Sequence, residues 1–391
     1  MGYNRSRRTI FDRIEEINSM AQYRIAVIGH TGRGNYGHGI DRVWLEVPGC
    51  EIVAVADPDA KSREAAVERL SAQNKSPDGH ADYREMLTKV KADIVAVCPR
   101  HLDQHRDMII AAVESGAHVY TEKPFCRSLE EADEIVAACE KHKRKLAIAH
   151  QTRVSPRLHV AKQMIDDGEI GDLLELRGRG KEDRRGGGED LWVLGSHIFN
   201  LMHYFGGEPS SCTARVLWKG QPITKADVFD GPEGIGPLAG DNVAAMYEMP
   251  EGVMGYFNSV RGKGAGGESR FGLRIIGSTG QIDMGTGHLP PMYFLPDPLW
   301  SPGRSGAKWV PITSAGPGKP EPLKDQGLHG GNILAVKDLI EAIEQDRQPE
   351  CNVYEARWTV EMIAGVFESH RQNNGRVELP LKNRRNPLTM L

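Results

Sequence analysis

The sequence predicts an α/β fold: a doubly wound parallel sheet first, then an α+β domain on an open, mostly antiparallel sheet. Three observations predict it. Between residues 23 and 150, short strands that are apolar throughout alternate with helical segments, as strands buried on both faces do. A glycine-dense loop follows the first strand, and an aspartate ends the second. From residue 151 the strands mix apolar with charged residues and meet at turn signals, the pattern of a half-covered antiparallel sheet. At 391 residues the chain exceeds one ordinary core. The expected division is an extension at 1–22, a first domain at 23–150 and a second at 151–391.

The first strand is Tyr23-Arg24-Ile25-Ala26-Val27-Ile28, and it stops at Gly29. Gly29, Gly32, Gly34, Gly37 and Gly39 make the loop, and residues 40–47 have a helical pattern. Glu51–Ala56 is the second strand, closed by Asp57, with a charged helix over 61–73. Asp93–Cys98, His118–Thr121 and Lys145–Ala149 are further strands, separated by helices at about 103–115 and 128–142. In the second half a helix runs from Pro156 to about Asp167 and stops at Gly168. Leu173–Arg177 and Thr213–Trp218 read as strands. Pro250-Glu251-Gly252 and Gly277-Ser278-Thr279-Gly280 each join two strands as a hairpin. Helices return at 332–345 and 355–373.

Doubly wound sheets bind ligands at the C-terminal ends of their strands. Glycines there let backbone N–H groups approach a pyrophosphate, and the following helix adds its positive end. Asp57 is placed to accept from a ribose diol, and its charge repels a 2′-phosphate. Together these features predict a Rossmann domain that takes NAD, with NADP less favoured. Ser62 and Arg63 are the residues that would receive a 2′-phosphate. The loop departs from G-x-G-x-x-G: counted from Gly29, the second position is Thr31 and the third is Gly34. Gly32-Arg33-Gly34-Asn35-Tyr36-Gly37 fits the pattern three residues late. Gly29, Thr31, Gly32, Arg33, Gly34 and Asp57 are the predicted cofactor contacts. The fourth strand ends in Glu122-Lys123-Pro124. Pro124 stops it and restrains Lys123. Lys123 becomes an acid/base candidate if burial or nearby positive charge lowers its pKa from about 10.4.

Glycine loop, strand-end aspartate and Glu122-Lys123-Pro124 together resemble the glucose–fructose oxidoreductase/inositol dehydrogenase-like (Gfo/Idh/MocA) family, from about residue 23 to 380. Gly186-Gly187-Gly188, then Gly195-Ser196-His197, resembles the family's glycine run and helix-borne catalytic histidine. Pro99 and His105, ahead of Ala111-Ala112-Val113-Glu114-Ser115-Gly116, resemble its run-up to the E-K-P element. With Glu122 and Lys123 they join the implied cofactor side. The resemblance implies that Lys123 and His197 flank the hydroxyl being oxidised, with nicotinamide C4 opposite. It implies sugars, polyols or their derivatives as substrates, and a homodimer or homotetramer. An uncovered sheet face is the expected interface. One departure concerns the family's Asp one turn before the histidine, which is Val193 here; the Asp three residues after it is Asn200. Asp190, two turns before His197 if one helix spans both, is the expected acidic substitute, with Glu189 beside it. Its other reading is a helix N-cap.

Arg179, Lys181, Arg184 and Arg185 precede the glycine run. Lys181 is the favoured substrate contact, joined by Trp192 and His329. Residues 288–322 carry nine prolines with Tyr293, Phe294, Trp300 and Trp309, and read as a long loop serving as an aromatic lid. The net charge of −4 gives no excess that would draw nucleic acid or an anionic membrane. No run approaches the ~20 apolar residues of a membrane helix. The six cysteines form no CxxC pair and the histidines show no metal spacing, so no metal and a reducing, cytoplasmic setting are expected. Ser6–Phe11 resembles a twin-arginine signal, but the charged residues after it exclude export. Ile10, Phe11, Ile14 and Ile17 fit a short amphipathic helix. The function expected is an NAD-dependent dehydrogenase of a secondary hydroxyl. The alternatives are glycoside cleavage by transient oxidation and elimination, and a non-catalytic dinucleotide sensor.

Overall fold

The apolar strands between Tyr23 and Ile148 pair into a six-stranded parallel sheet in the computed structural model, which describes residues 23–72, 75–264 and 270–391. They are β1 (Tyr23–Ile28), β2 (Cys50–Ala56), β3 (Asp78–His80), β4 (Ile94–Val97), β5 (His118–Thr121) and β6 (Leu146–Ile148). Their order is β3-β2-β1-β4-β5-β6, so the direction of winding reverses between β1 and β4. A crevice for a ligand opens at that point. β3 carries no apolar run, which is why its sequence gives no strand signal. The connecting helices are α1 (Ala60–Leu70), α2 (Tyr83–Lys89), α3 (His105–Glu114) and α4 (Leu129–His142). Asp59, Asp82 and Ser128 cap α1, α2 and α4 through their side chains, satisfying N–H groups that lack an intrahelical partner.

The helix expected at 40–47 is absent. Turns carry the chain to a single 3₁₀ turn at Val43–Glu46. Asn35, Gly37 and Gly39 hold positive φ of 54°, 62° and 80°, and this left-handed backbone stops a helix from nucleating. The expected helix dipole behind the glycine loop is therefore missing. The helix expected at residues 10–17 lies outside the described residues.

Among the described residues the second half forms an eleven-stranded sheet, one strand of which is the two-residue Gln221–Pro222. After α5 (Pro156–Asp166) come β7 (Leu173–Arg179), α6 (Gly188–Val193), α7 (Gly195–Gly206) and β8 (Ser211–Trp218). β9 (Asn242–Glu248), β10 (Met254–Val260), β11 (Gly272–Gly277), β12 (Gln281–Met284), β13 (Met292–Leu295), β14 (Val310–Thr313) and β15 (Gly316–Pro317) follow. α8 (Gly327–Glu344), α9 (Val353–Arg371) and β16 (Val377–Glu378) close the chain. Among the described residues only β7 and β10 pair in parallel along this sheet. Both predicted hairpins are present. At the first, Glu251 and Gly252 have φ of 58° and 79°, the left-handed pair that suits a two-residue hairpin turn. Val243, Ala245, Tyr247 and Phe257 point into the core. Tyr247 donates from its hydroxyl to the Met362 carbonyl in α9 at 2.8 Å, tying the sheet to its covering helix.

One expectation is corrected here. Residues 288–322 are not a lid: β13, β14 and β15 extend the sheet edge, and Tyr293, Trp300 and Trp309 face outward. Only Pro311 and Pro317 lie within these strands; the other prolines sit in the connections around them. From the second half of the chain, α8 returns to pack on the first sheet. Ala335, Val336 and Leu339 pack with Ile25, Val27 and Trp44.

Candidate active site

At the C-terminal end of β1 the glycine loop doubles back on Asp57. That carboxylate is fully buried and accepts from Thr31 N at 3.2 Å, Thr31 Oγ1 at 2.8 Å and Asp59 N at 3.0 Å. Gly34 (φ 90°) packs so close to the turn after β4 that a Cβ would stand 2.2 Å from Arg100 N. A Cβ on Gly29 would enter the Tyr36 ring. Arg33 pairs with Asp103 in the same turn, and His30 Nδ1 lies 2.7 Å from Gln104 Oε1. Gly32 (φ 84°) instead faces open space, with no atom within 4 Å of a Cβ built there. In this loop and the turn after β4, Arg33 Nε, Arg100 Nε, His101 Nδ1 and Asp103 Oδ1 are buried without partners. Buried polar groups rarely go unpaired, so this crevice suits a polar ligand such as the diphosphate and ribose of NAD. Thr31, Gly32 and Arg33 with the Arg100 turn would hold it. Arg63 is anchored on the Asp57 carbonyl at 2.7 Å. His105 does not face this crevice. It is fully buried, with its nitrogens 2.6 Å from the Pro99 carbonyl and 3.1 Å from that of Phe125. His105 thus ties the Pro99 carbonyl to that of Phe125 and braces the turn after β4.

β5 delivers Glu122 and Lys123 to the same edge. Glu122 is buried and accepts from His38 N at 2.6 Å, His38 Nδ1 at 2.9 Å and Lys123 N at 3.1 Å. Burial alone would raise its pKa, but His38 and Lys123 outweigh that and hold it low. The Lys123–Pro124 peptide is cis. The Lys123 ammonium donates to the Val193 carbonyl at 3.1 Å. Burial lowers the Lys123 pKa, Glu122 and Glu233 oppose that, and Arg185 and Arg100 reinforce it. Across the gap, α7 presents His197. Its Nδ1 stands 3.2 Å from Nδ1 of His150, which follows β6. Burial, His150 and Lys123 push the His197 pKa well below the usual histidine value.

Lys123 and His197 line one cavity of about 300 Å³, together with Lys181, Arg185, Arg100 and Glu233. That volume suits a small ligand of sugar size. Arg185 is held by Asp183 at 2.7 Å, whose pKa falls to about 2 chiefly through that hydrogen bond.

Three expected site residues lie elsewhere. Asp190 is buried behind the site, accepting from Ser259 Oγ at 2.5 Å and Glu182 N at 3.1 Å. Leu194 (φ −126°, ψ −41°) breaks the helix between α6 and α7, so Asp190 and His197 share no helix face. Trp192 packs in a cleft beside Leu129, Val360 and Phe367. His329 pairs with Glu46 at 2.6 Å and does not line the cavity, although its neighbour Leu328 does. Conversely, His38, His150, Arg100 and Glu233 were not predicted. The first three sit in or beside strand-end loops, where ligands bind, and that position was their available signal. Glu233 comes from an irregular segment with no periodicity.

Residues 23–150 match an oxidoreductase family model described as an NAD-binding Rossmann fold, and 158–283 match the GFO/IDH/MocA C-terminal domain. The chain belongs to the Gfo/Idh/MocA oxidoreductase family. Its first domain is that family's NAD-binding Rossmann domain. Levoglucosan dehydrogenase of Pseudarthrobacter phenanthrenivorans is 25% identical over 261 residues, 60% of this chain and 65% of that protein, just under two thirds of its length. The scyllo-inositol 2-dehydrogenase (NAD(+)) of Bacillus subtilis is 29% identical over 277 residues, 68% of this chain and 74% of that one. A glycosyl hydrolase family 109 protein of Akkermansia muciniphila is 31% identical over 178 residues, 42% of this chain and 36% of its own length. The structure of levoglucosan dehydrogenase with NADH and levoglucosan aligns with a TM-score of 0.72 at 19% identity, covering 92% of this chain and all of that one. The fold is therefore shared. Among the described residues no helix is long and apolar enough to cross a membrane.

Proposed function

We propose that this chain is an NAD-dependent dehydrogenase acting on a secondary hydroxyl of a sugar, glycoside or polyol. The observation that carries the reading is the convergence of Lys123 and His197 on one cavity at the ligand-binding edge of the parallel sheet. NAD, when bound, takes a hydride at C4 of its nicotinamide. His197 Nε2 takes the hydroxyl proton, since His150 already occupies Nδ1. The Lys123 ammonium, steadied by the Val193 carbonyl, stabilises the developing alkoxide. Its lowered pKa also suits it to pass a proton. Lys181 and Arg185 offer donors to neighbouring hydroxyls or a carboxylate, and Glu233 offers an acceptor. The levoglucosan and scyllo-inositol dehydrogenases among the relatives support this substrate class.

The open face of the second sheet supports self-association into a dimer or tetramer. Ala244, Met246 and Tyr256 lie half-buried there, ringed by Arg177, Arg215 and Arg274. Six free cysteines suit a reducing, cytoplasmic setting.

A second reading is glycoside cleavage by transient oxidation, favoured by glycosyl hydrolase family 109 proteins among the relatives. One panel separates the two. The protein is incubated with NAD and neutral sugars, polyols and aryl glycosides, while NADH and released phenol are followed together. Net NADH formed in step with substrate is the expected result. Phenol release with no net NADH would replace dehydrogenation by the second reading.

A further inference from the structure

We propose that His150 is a positioning residue that shares a proton with His197 and fixes which nitrogen of His197 serves as the base. The proposal rests, for its chemistry, on the dehydrogenase reading. His150 follows β6 and is only 3% exposed. Its Nδ1 lies 3.2 Å from His197 Nδ1, and the rings meet edge to face with centroids 4.7 Å apart at 85°. A neutral imidazole carries one N–H, so one of the two facing nitrogens donates and the other accepts. For His197 Nε2 to receive a hydroxyl proton, Nε2 must be bare. The hydrogen then sits on His197 Nδ1 and is donated to His150 Nδ1. The side chain of Val193, four residues before His197, offers no acceptor, so His150 takes that task from a different element.

The surroundings keep the pair neutral at rest. Lys123 and Arg153 face His150, Lys123 and His38 face His197, and the Phe271 ring lies edge-on to His197 at 6.4 Å. Burial, reinforced by Lys123 and Arg153, brings the His150 pKa down to about 3. On oxidation the C–H bond breaks with its electron pair going to nicotinamide C4. The O–H proton goes to His197 Nε2, and the proton on His197 Nδ1 moves toward His150 Nδ1. The pair thus holds the one proton released for each hydride transferred.

His150→Phe keeps the ring but removes the acceptor; His150→Asn retains one in its amide oxygen. His150→Phe is expected to lower kcat by about 30-fold or more, with substrate KM and NADH affinity within about twofold. The acid limb of its kcat/KM profile moves to higher pH, because His150 no longer helps to depress the His197 pKa. His150→Asn recovers most of the rate. Nitrogen-15 histidine NMR of the cofactor-free protein gives a readout without turnover: His197 shows the Nδ1–H form in the wild type and a mixture in His150→Phe. A proton on His197 Nε2 in the wild type would overturn the proposal. So would equal losses in the Phe and Asn variants, or an unmoved acid limb in His150→Phe. If the wild type oxidises no sugar at all, the dehydrogenase reading fails while the NMR form of His197 still decides the pairing.

Discussion

Lys123→Ala and His197→Ala each lower kcat by about 10²–10⁴-fold and leave NADH affinity within about threefold. Both side chains touch the substrate cavity, and neither supports the glycine loop. Loss of the Lys123 ammonium also leaves the Val193 carbonyl without its donor, at a cost of about 1 kcal/mol in stability. Steady-state kinetics with a melting control separates the two effects. The wild-type profile adds a sign. Burial depresses the pKa of His197, so the base is unprotonated down to pH values below the ordinary histidine range. The acid limb of kcat/KM therefore lies below about 6.5. In His197→Ala that limb disappears. Wild-type rates in both variants would remove the two residues from the reaction.

Asp57→Ala has the second large effect, on binding and on folding together. Its carboxylate is the acceptor for Thr31 N, Thr31 Oγ1 and Asp59 N, all at the base of the loop. Each donor left unpaired costs about 1–3 kcal/mol where water cannot reach it. The expected loss is about 3 kcal/mol of stability and at least tenfold in NADH affinity. Urea unfolding and a fluorescence titration measure the two. An unchanged midpoint with unchanged affinity would mean that Asp57 neither latches the loop nor meets the cofactor.

Much of this was legible in the sequence because burial writes itself into composition. Strands such as Ile94–Val97 are buried on both faces, and no polar residue interrupts them. Lys123 and His197 stood out because each follows a motif that fixes its backbone, Glu122-Lys123-Pro124 and Gly195-Ser196-His197. The misses have physical causes. The two-turn distance from Asp190 to His197 assumed one helix, and a single residue, Leu194, breaks it. His329 was expected at the substrate, yet its neighbour Leu328 lines the cavity and His329 pairs with Glu46. The prolines and aromatics of 288–322 read as a loop, because edge strands carry the same residues. His150 and Glu233 gain their meaning only from partners 47 residues away or across the domain junction. No local pattern reports such pairings.

The central claim is that the crevice at the end of β1 takes NAD beside Lys123 and His197. Titration of the purified protein with NADH and with NADPH, followed by nicotinamide fluorescence after a check for co-purified cofactor, tests it most directly. The account predicts saturable NADH binding at least about tenfold tighter than NADPH, because the buried Asp57 carboxylate repels a 2′-phosphate. No binding of either, with no cofactor carried through purification, would contradict it.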